Sequence, residues 1–188
     1  MDHKFHQTIS GVLDIDVAPG WFVWDEACGG SQWVSLFREA TKSAGKRYAC
    51  ADAVLIADSA VRLILEIEEA GAHGFLPTRI AGKLTTSALC EYFIPRGRAA
   101  PIPFNKQVTF VQVLNTAGLK PGSRKPEQYQ NMASDIQQRL LPFGSIHTYH
   151  LLMGDAAEFQ SGDPGERLRR IVRSAVNTGF SQAAINAA

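Results

Sequence analysis

The sequence predicts an α/β domain in which helices cover a mixed β-sheet. A hairpin is indicated by two apolar runs rich in β-branched residues, 54–57 and 61–67, on either side of a polar break with turn residues at 58–60. Two later apolar runs have the length of strands, 108–114 and 146–153, and segments with helical spacing separate them. Strands separated by helices need crossover connections, so we expect parallel as well as antiparallel pairs in the sheet.

The N-terminal part is predicted to contain irregular or short β structure and then one helix. Residues 8–24 hold short apolar runs that Pro19 and Gly20 interrupt. Ser31 is suited to a helix N-cap, and Gly45 is suited to a helix end. Between them, four apolar residues fall at i, i+3, i+4 and i+7, namely Trp33, Leu36, Phe37 and Ala40. This spacing predicts an amphipathic helix over about 31–43.

The hairpin is expected to bring three acids together at its open end, after a short strand over 46–50. If the turn centres on Ser59, Asp52 lies opposite Glu66, because residues equidistant from a turn pair across it with Cβ atoms ~5 Å apart. The two-residue period of a strand puts Glu68 on the same face as Glu66. The three acids converge only in this register, since a slip of one residue would scatter them.

The rest of the chain alternates helices and strands. The predicted elements are a helix over 80–93, a strand over 108–114, a helix over 126–140 that Pro126 begins, a strand over 146–153 and a C-terminal helix over about 164–177. No repeat or linker divides the chain, and 188 residues suffice for one core. We therefore expect a single domain over 1–188.

Composition is that of a soluble globular protein, with 45% hydrophobic and 20% charged residues and a net charge of +1. Bulk charge therefore gives no polyanion-binding signature. Cys28, Cys50 and Cys90 are widely spaced and form no Cys-x-x-Cys pair, which indicates reduced, mostly buried thiols. The N-terminus lacks a signal-peptide pattern, and no stretch approaches the ~20 apolar residues of a membrane span. We expect a cytoplasmic protein that does not bind membranes.

The order of elements, with acids at the open end of the central hairpin, resembles the PD-(D/E)XK nuclease superfamily. Members have a restriction-endonuclease-like core of order α-β-β-β-α-β, in which an Asp begins the second core strand and a (Glu/Asp)-x-Lys element lies on the third. Asp52 matches the first motif, and Glu66-Ile67-Glu68 matches the second with Glu in place of Lys, as in some type II restriction enzymes. The resemblance covers about residues 30–153, and its motif has three fixed positions in a chain with 18 acids.

The resemblance implies a Mg²⁺-dependent endonuclease, for which Mn²⁺ is an alternative ion. Its partner would be DNA, expected to be double-stranded, and a homodimer would supply one active site for each strand. Asp52 and Glu66 would be metal ligands together with the Ile67 backbone carbonyl, because Mg²⁺ prefers hard oxygen ligands and keeps several waters. Glu68 would orient or deprotonate the attacking water or bind a second metal.

The cation that the family places on the third strand has to come from elsewhere in this chain. Lys83, early in the helix after the hairpin, is the first candidate for a catalytic cation near the scissile phosphate, and Arg79 is the second. An exposed helix lysine that extends into solvent is the simpler interpretation of Lys83. The three acids, likewise, are explained without a site if they only mark the ends of strands.

Other functions stay open at this point. The missing lysine favours a catalytically inactive nucleic-acid-binding or assembly module on the same fold. A glycosidase with a carboxylate pair is a third interpretation. The three tryptophans, Trp21, Trp24 and Trp33, are predicted to belong to the core and not to base-stacking surfaces.

Overall fold

A computed structural model describes residues 3–97 and 100–177 of the chain. The helices are α1 Lys4–Val12, α2 Pro77–Ala88, α3 Lys125–Asp135, α4 Ala156–Ser161 and α5 Asp163–Asn177. The strands are β1 Trp21–Trp24, β2 Val34–Phe37, β3 Arg47–Ala51, β4 Ala53–Ala57, β5 Ala60–Glu69, β6 Tyr92–Phe93, β7 Ile102–Asn115 and β8 Ile146–Gly154. The predicted α/β class is confirmed.

The eight strands form one mixed sheet with two parts. The larger part has the order β1-β4-β5-β7-β8, in which β1, β4 and β5 are antiparallel and β5, β7 and β8 are parallel. Helices α2 and α3 lie in the connections that precede the parallel strands β7 and β8. The smaller part is antiparallel and joins β3, β2 and β6 to the first residues of β7.

Helices cover both faces of the larger part. On one face, β-strand residues such as Leu65 and Val113 pack with α1, α4 and α5. On the other face, residues such as Ile64 and Phe110 pack with α2, the end of α3 and the strands of the smaller part. Because side chains alternate along a strand, β5 is buried on both faces, which explains its nearly continuous apolar sequence.

The predicted helix over 31–43 is wrong. Val34–Phe37 is a fully buried strand that pairs with both β3 and β6, and Trp33 is 62% exposed. The four apolar residues fit helical spacing, but β-branched Val34 and aromatic Phe37 also suit a strand. Pairing with β3, the next strand along the chain, and with the distant β6 decides between these possibilities, and the sequence pattern carries no trace of the pairing with β6.

Three further boundaries differ from the prediction. Residues 4–12, partly expected to be irregular, form α1, whose buried Phe5, Ile9 and Val12 have helical spacing. The second helix ends at Ala88 instead of 93, because Tyr92–Phe93 pairs with β2 and β7. A short helix, α4, was not predicted. Cys28 and Cys90 are buried as expected, whereas Cys50 is exposed.

The hairpin, the short strand before it and the two later strands are confirmed, as are the third helix and the C-terminal helix. The third helix continues into a π-helical turn over Ile136–Leu140. Among the described residues, no helix combines the length and the apolar character that crossing a membrane requires.

Candidate active site at the open end of the central hairpin

Asp52 lies at a corner of the chain, between β3 of the smaller part of the sheet and β4 of the larger part. Its backbone is held on both sides, since its amide donates to the Leu65 carbonyl (3.1 Å) and its carbonyl accepts from the Asp25 amide (2.8 Å). Its side chain accepts a hydrogen bond from the Ile67 amide at 2.7 Å. The Asp52 carboxylate is therefore fixed against β5, beside the Glu-x-Glu segment.

The hairpin has the predicted register at its open end, where Ala53 pairs with Leu65. The turn itself is shorter than expected. Asp58 and Ser59 form a two-residue loop in which both residues have positive φ, 50° and 60°, as the tight hairpin turns require. This loop would shift the register by one residue, but a bulge between Val61 and Leu63 restores it.

Glu66 is fully buried and faces α2. Its Oε2 accepts a hydrogen bond from Lys83 Nζ at 2.9 Å. Its Oε1 is buried and has no hydrogen-bond partner among the residues that the structure describes. Burial raises the pKa of Glu66 to about 8; the Lys83 charge opposes this rise, while Asp52 and Glu68 add to it. The carboxyl is therefore poised to ionise when a further cation approaches.

Glu68 follows on the same face of β5 and is 7% exposed. Its Oε2 accepts from Arg79 Nη2 at 2.8 Å, and its Oε1 lies 3.9 Å from Lys83 Nζ. The Arg79 guanidinium also lies over the Phe75 ring, 4.8 Å from its centroid. Arg79 thus neutralises Glu68 and is itself held in place by a cation–π contact.

Lys83 and Arg79 are four residues apart on α2, so both point from the same helix face toward β5. Burial works against the charge on Lys83, but Glu66, Glu68 and Asp52 outweigh it, and the pKa of the ammonium lies above its ordinary value. Helix α2 is anchored to the sheet through the buried Gln112 of β7, whose Nε2 donates to the Ile80 carbonyl. Lys83 therefore enters the site as a charged group on a fixed element.

Two residues at the site were not predicted, His6 of α1 and Glu69. His6 Nε2 lies 3.6 Å from Asp52 Oδ1, and His6 Nδ1 lies 3.4 Å from Glu69 Oε1. Sequence reasoning missed His6 because it did not predict α1. The signal was available in the spacing of Phe5, Ile9 and Val12, which places His6 at the border of the buried stripe.

The oxygen atoms at this site fit a hard divalent cation. Among the described residues, Asp52 Oδ1 has only a long contact, with His6 Nε2 at 3.6 Å, and Glu66 Oε1 has no hydrogen-bond partner. Burial raises the pKa of Asp52, which a cation would counteract. The Ile67 carbonyl faces the same side of β5 as its amide, and that amide bonds Asp52. Two carboxylates and a carbonyl, completed by water, suit Mg²⁺ or Mn²⁺.

Within the described ranges, no three His, Cys, Asp or Glu side chains group closely enough to hold a metal by themselves. A cation here would accordingly keep several waters, as Mg²⁺ does in phosphate-processing sites. Comparison with protein-family models, with curated proteins and with solved structures finds no significant match to this chain. The proposed function therefore rests on the geometry of the site.

Proposed function

We propose that this chain is a metal-dependent endonuclease that hydrolyses DNA phosphodiester bonds, with a PD-(D/E)XK core most like that of a type II restriction enzyme. The order of elements supports this. Helix α1 precedes the antiparallel strands β1, β4 and β5, and α2 then crosses to the parallel strand β7. In this proposal β2 and β3 are an insertion, and the stretch that resembles the family begins at Lys4, not near residue 30.

The observation that carries the proposal is the position of Lys83. The family has a lysine where this chain has Glu68, and here an ammonium from α2 occupies the space between the two glutamates, 2.9 Å from Glu66 and 3.9 Å from Glu68. A lysine bound to a fully buried carboxylate with one unpaired oxygen is unusual for a purely structural ion pair, because the unpaired oxygen costs stability.

Each residue has a role in this mechanism. Asp52, Glu66 and the Ile67 carbonyl would hold Mg²⁺ or Mn²⁺. When bound, the ion would polarise the scissile phosphate and lower the pKa of a water molecule. Lys83 donates hydrogen bonds from Nζ to a non-bridging phosphate oxygen and stabilises the charge that develops there. Glu68 orients the attacking water and accepts its proton, while Arg79 holds the Glu68 side chain in place through a hydrogen bond.

Nicking of supercoiled plasmid DNA tests the proposal. The wild type is expected to nick in Mg²⁺ or Mn²⁺ and not in EDTA, and Asp52→Asn, Glu66→Gln and Lys83→Met are expected to abolish nicking. Asp135→Asn and Glu127→Gln are matched controls, because both acids are exposed, lie far from the site in sequence, and each pairs with an arginine three or four residues away. Equal nicking by site and control variants, or none by the wild type on a varied set of DNA substrates, would contradict the proposal.

A second candidate is an inactive nucleic-acid-binding or assembly module. It is favoured by one observation: Glu66 and Glu68 already have cationic partners in Lys83 and Arg79, so the site can be neutral without a metal. Calorimetric titration with Mn²⁺ separates the two candidates. The nuclease proposal expects binding by the wild type and none by Asp52→Asn, whereas the inactive module expects no difference between them.

A further inference from the structure

A groove of about 350 Å³ runs along the β2–β3 pair, away from the candidate active site. Trp33 and Asp52 stand at the same end of this pair, one residue beyond the paired Val34 and Ala51. At the other end is Arg47, which pairs with Phe37 across a bulge. Because β3 has five residues at ~3.3 Å each and Asp52 follows it directly, Arg47 lies roughly 16 Å from Asp52.

The groove carries three cations, Lys42, Arg47 and Arg96, and one acid, Glu26. Among the residues that the structure describes, no carboxylate lies within ion-pair distance of any of these three cations. Several exposed arginines elsewhere on this chain do have such a partner, including Arg124 with Glu127 and Arg139 with Asp135. The groove therefore presents uncompensated positive charge next to a site proposed to act on phosphodiesters.

Trp33 lines the same groove with an indole that is 62% exposed. By contrast, Trp24 is partly buried and stacks on Phe22, with ring centroids 4.8 Å apart. The prediction that the tryptophans belong to the core is thus wrong for Trp33, and also for Trp21, which is exposed. A large aromatic side chain left in solvent among unpaired cations is the combination that binds single-stranded nucleic acid, where bases stack on aromatic rings and cations hold the backbone.

We propose that this groove binds a single-stranded stretch of nucleic acid that leads to the scissile phosphate. Trp33 stacks on an unpaired base nearest Asp52, and Lys42, Arg47 and Arg96 hold the phosphates that follow. A base within a duplex is stacked on its neighbours and leaves no free face for the indole. The inference rests on the proposed function and narrows its substrate class to DNA with an unpaired segment beside the cleavage position, such as an overhang, a flap or a bubble.

Fluorescence anisotropy of labelled oligonucleotides in EDTA tests the groove without any cleavage. For a short oligothymidylate, Trp33→Ala is expected to weaken binding about tenfold and to leave the salt dependence unchanged. Arg47→Gln is expected to weaken binding and to lower the slope of log K against log salt by about 0.7, the value for one phosphate contact on a single strand. Trp33→Phe, which keeps a stacking ring, is expected to retain most of the affinity.

Trp21→Ala is the matched control, because Trp21 is also exposed but pairs with Ile56, at the opposite end of β4 from Asp52. Equal affinities of Trp33→Ala and Trp21→Ala, or a duplex bound as tightly as the single strand, would overturn the inference. The nuclease proposal fails separately. If only the nuclease proposal is wrong, no protein nicks DNA, but Trp33→Ala and Trp21→Ala still differ in affinity in EDTA and in a Glu66→Gln background. If only the groove proposal is wrong, the wild type still nicks DNA, but the two tryptophan variants bind alike.

Discussion

Glu66 predicts an unusual dependence of stability on pH. Burial raises its pKa from the ordinary 4.5 to about 8, so between these pH values the folded protein keeps a proton that the unfolded chain has released. The free energy of unfolding therefore falls as the pH rises through this window, and acidification restores it. At ~1.36 kcal/mol per unit of pKa shift, the free energy of unfolding falls by about 5 kcal/mol across the whole window. Few single side chains affect the stability of a domain this much.

Glu66→Gln removes the ionisation and keeps the shape of the side chain. We expect the variant to be more stable than the wild type by at least about 2 kcal/mol near pH 8.5, even though it loses the charge partner of Lys83. Near pH 5, where Glu66 is protonated in the folded protein, the two should differ little. Burial also raises the pKa of Asp52, which contributes in the same direction in the wild type and in the variant.

Urea denaturation followed by circular dichroism, at about pH 5 and about pH 8.5, measures these differences. Mn²⁺ adds a second test, since an ion that binds only the folded protein should restabilise the wild type at high pH and leave Glu66→Gln unchanged. Glu127→Gln is the control for removal of an exposed acid. A wild type whose stability is flat or rising between pH 5 and 8.5, or a variant that is less stable at pH 8.5, would refute the assignment of a buried, protonated Glu66.

Three further predictions concern the surroundings of the site. Mn²⁺ affinity should rise up to about tenfold per pH unit from pH 6 to 8, because the ion displaces the proton of Glu66. Calorimetry in buffers of different ionisation enthalpy should detect the released proton. His6→Ala should weaken Mn²⁺ binding and loosen Asp52, whereas His73→Ala, which exchanges an exposed histidine outside the helices and strands, should do neither. Tyr129→Phe should lower the free energy of unfolding by about 2 kcal/mol, because the buried Tyr129 hydroxyl accepts from the Phe75 amide (2.6 Å) and donates to the Phe75 carbonyl (3.1 Å). An unchanged midpoint in urea denaturation would contradict this.

The hairpin could be predicted because its determinants are local. Two apolar runs, a polar break and terminal acids lie within about twenty residues, and the two-residue period then assigns the faces. The register was predicted correctly although the turn was placed differently. The two-residue loop at Asp58 and Ser59 and the bulge at Arg62 offset each other, and Arg62 is held by Asp58 at 2.8 Å. A bulge of this kind depends on packing and leaves no pattern in the sequence.

Strands β2 and β6 of the smaller part of the sheet could not be predicted, because both are short and they pair with each other across a long stretch of chain. Leu36 pairs with Phe93, 57 positions away along the chain, and neither short strand has enough residues to show a period. Trp33 directly precedes β2. Because β2 was not predicted, the groove that Trp33 lines together with Arg47 could not be predicted either. Lys83 could be nominated because it lies on a helix directly after the hairpin, whereas His6 depends on a helix at the far end of the chain.

In the proposed nuclease, the charges around Glu68 explain how a glutamate can replace the lysine of the superfamily that the chain resembles. Exchanging Lys for Glu removes one positive charge and adds one negative charge, so two cations are needed to restore the balance. Arg79 provides one, bound to Glu68 at 2.8 Å, and Lys83 provides the other, bound to Glu66 at 2.9 Å. Without Arg79, Glu68 would compete for Lys83, whose Nζ lies 3.9 Å from Glu68 Oε1, and draw it away from Glu66. In the proposed nuclease, Lys83 therefore takes the place of the missing lysine only while Arg79 pairs with Glu68.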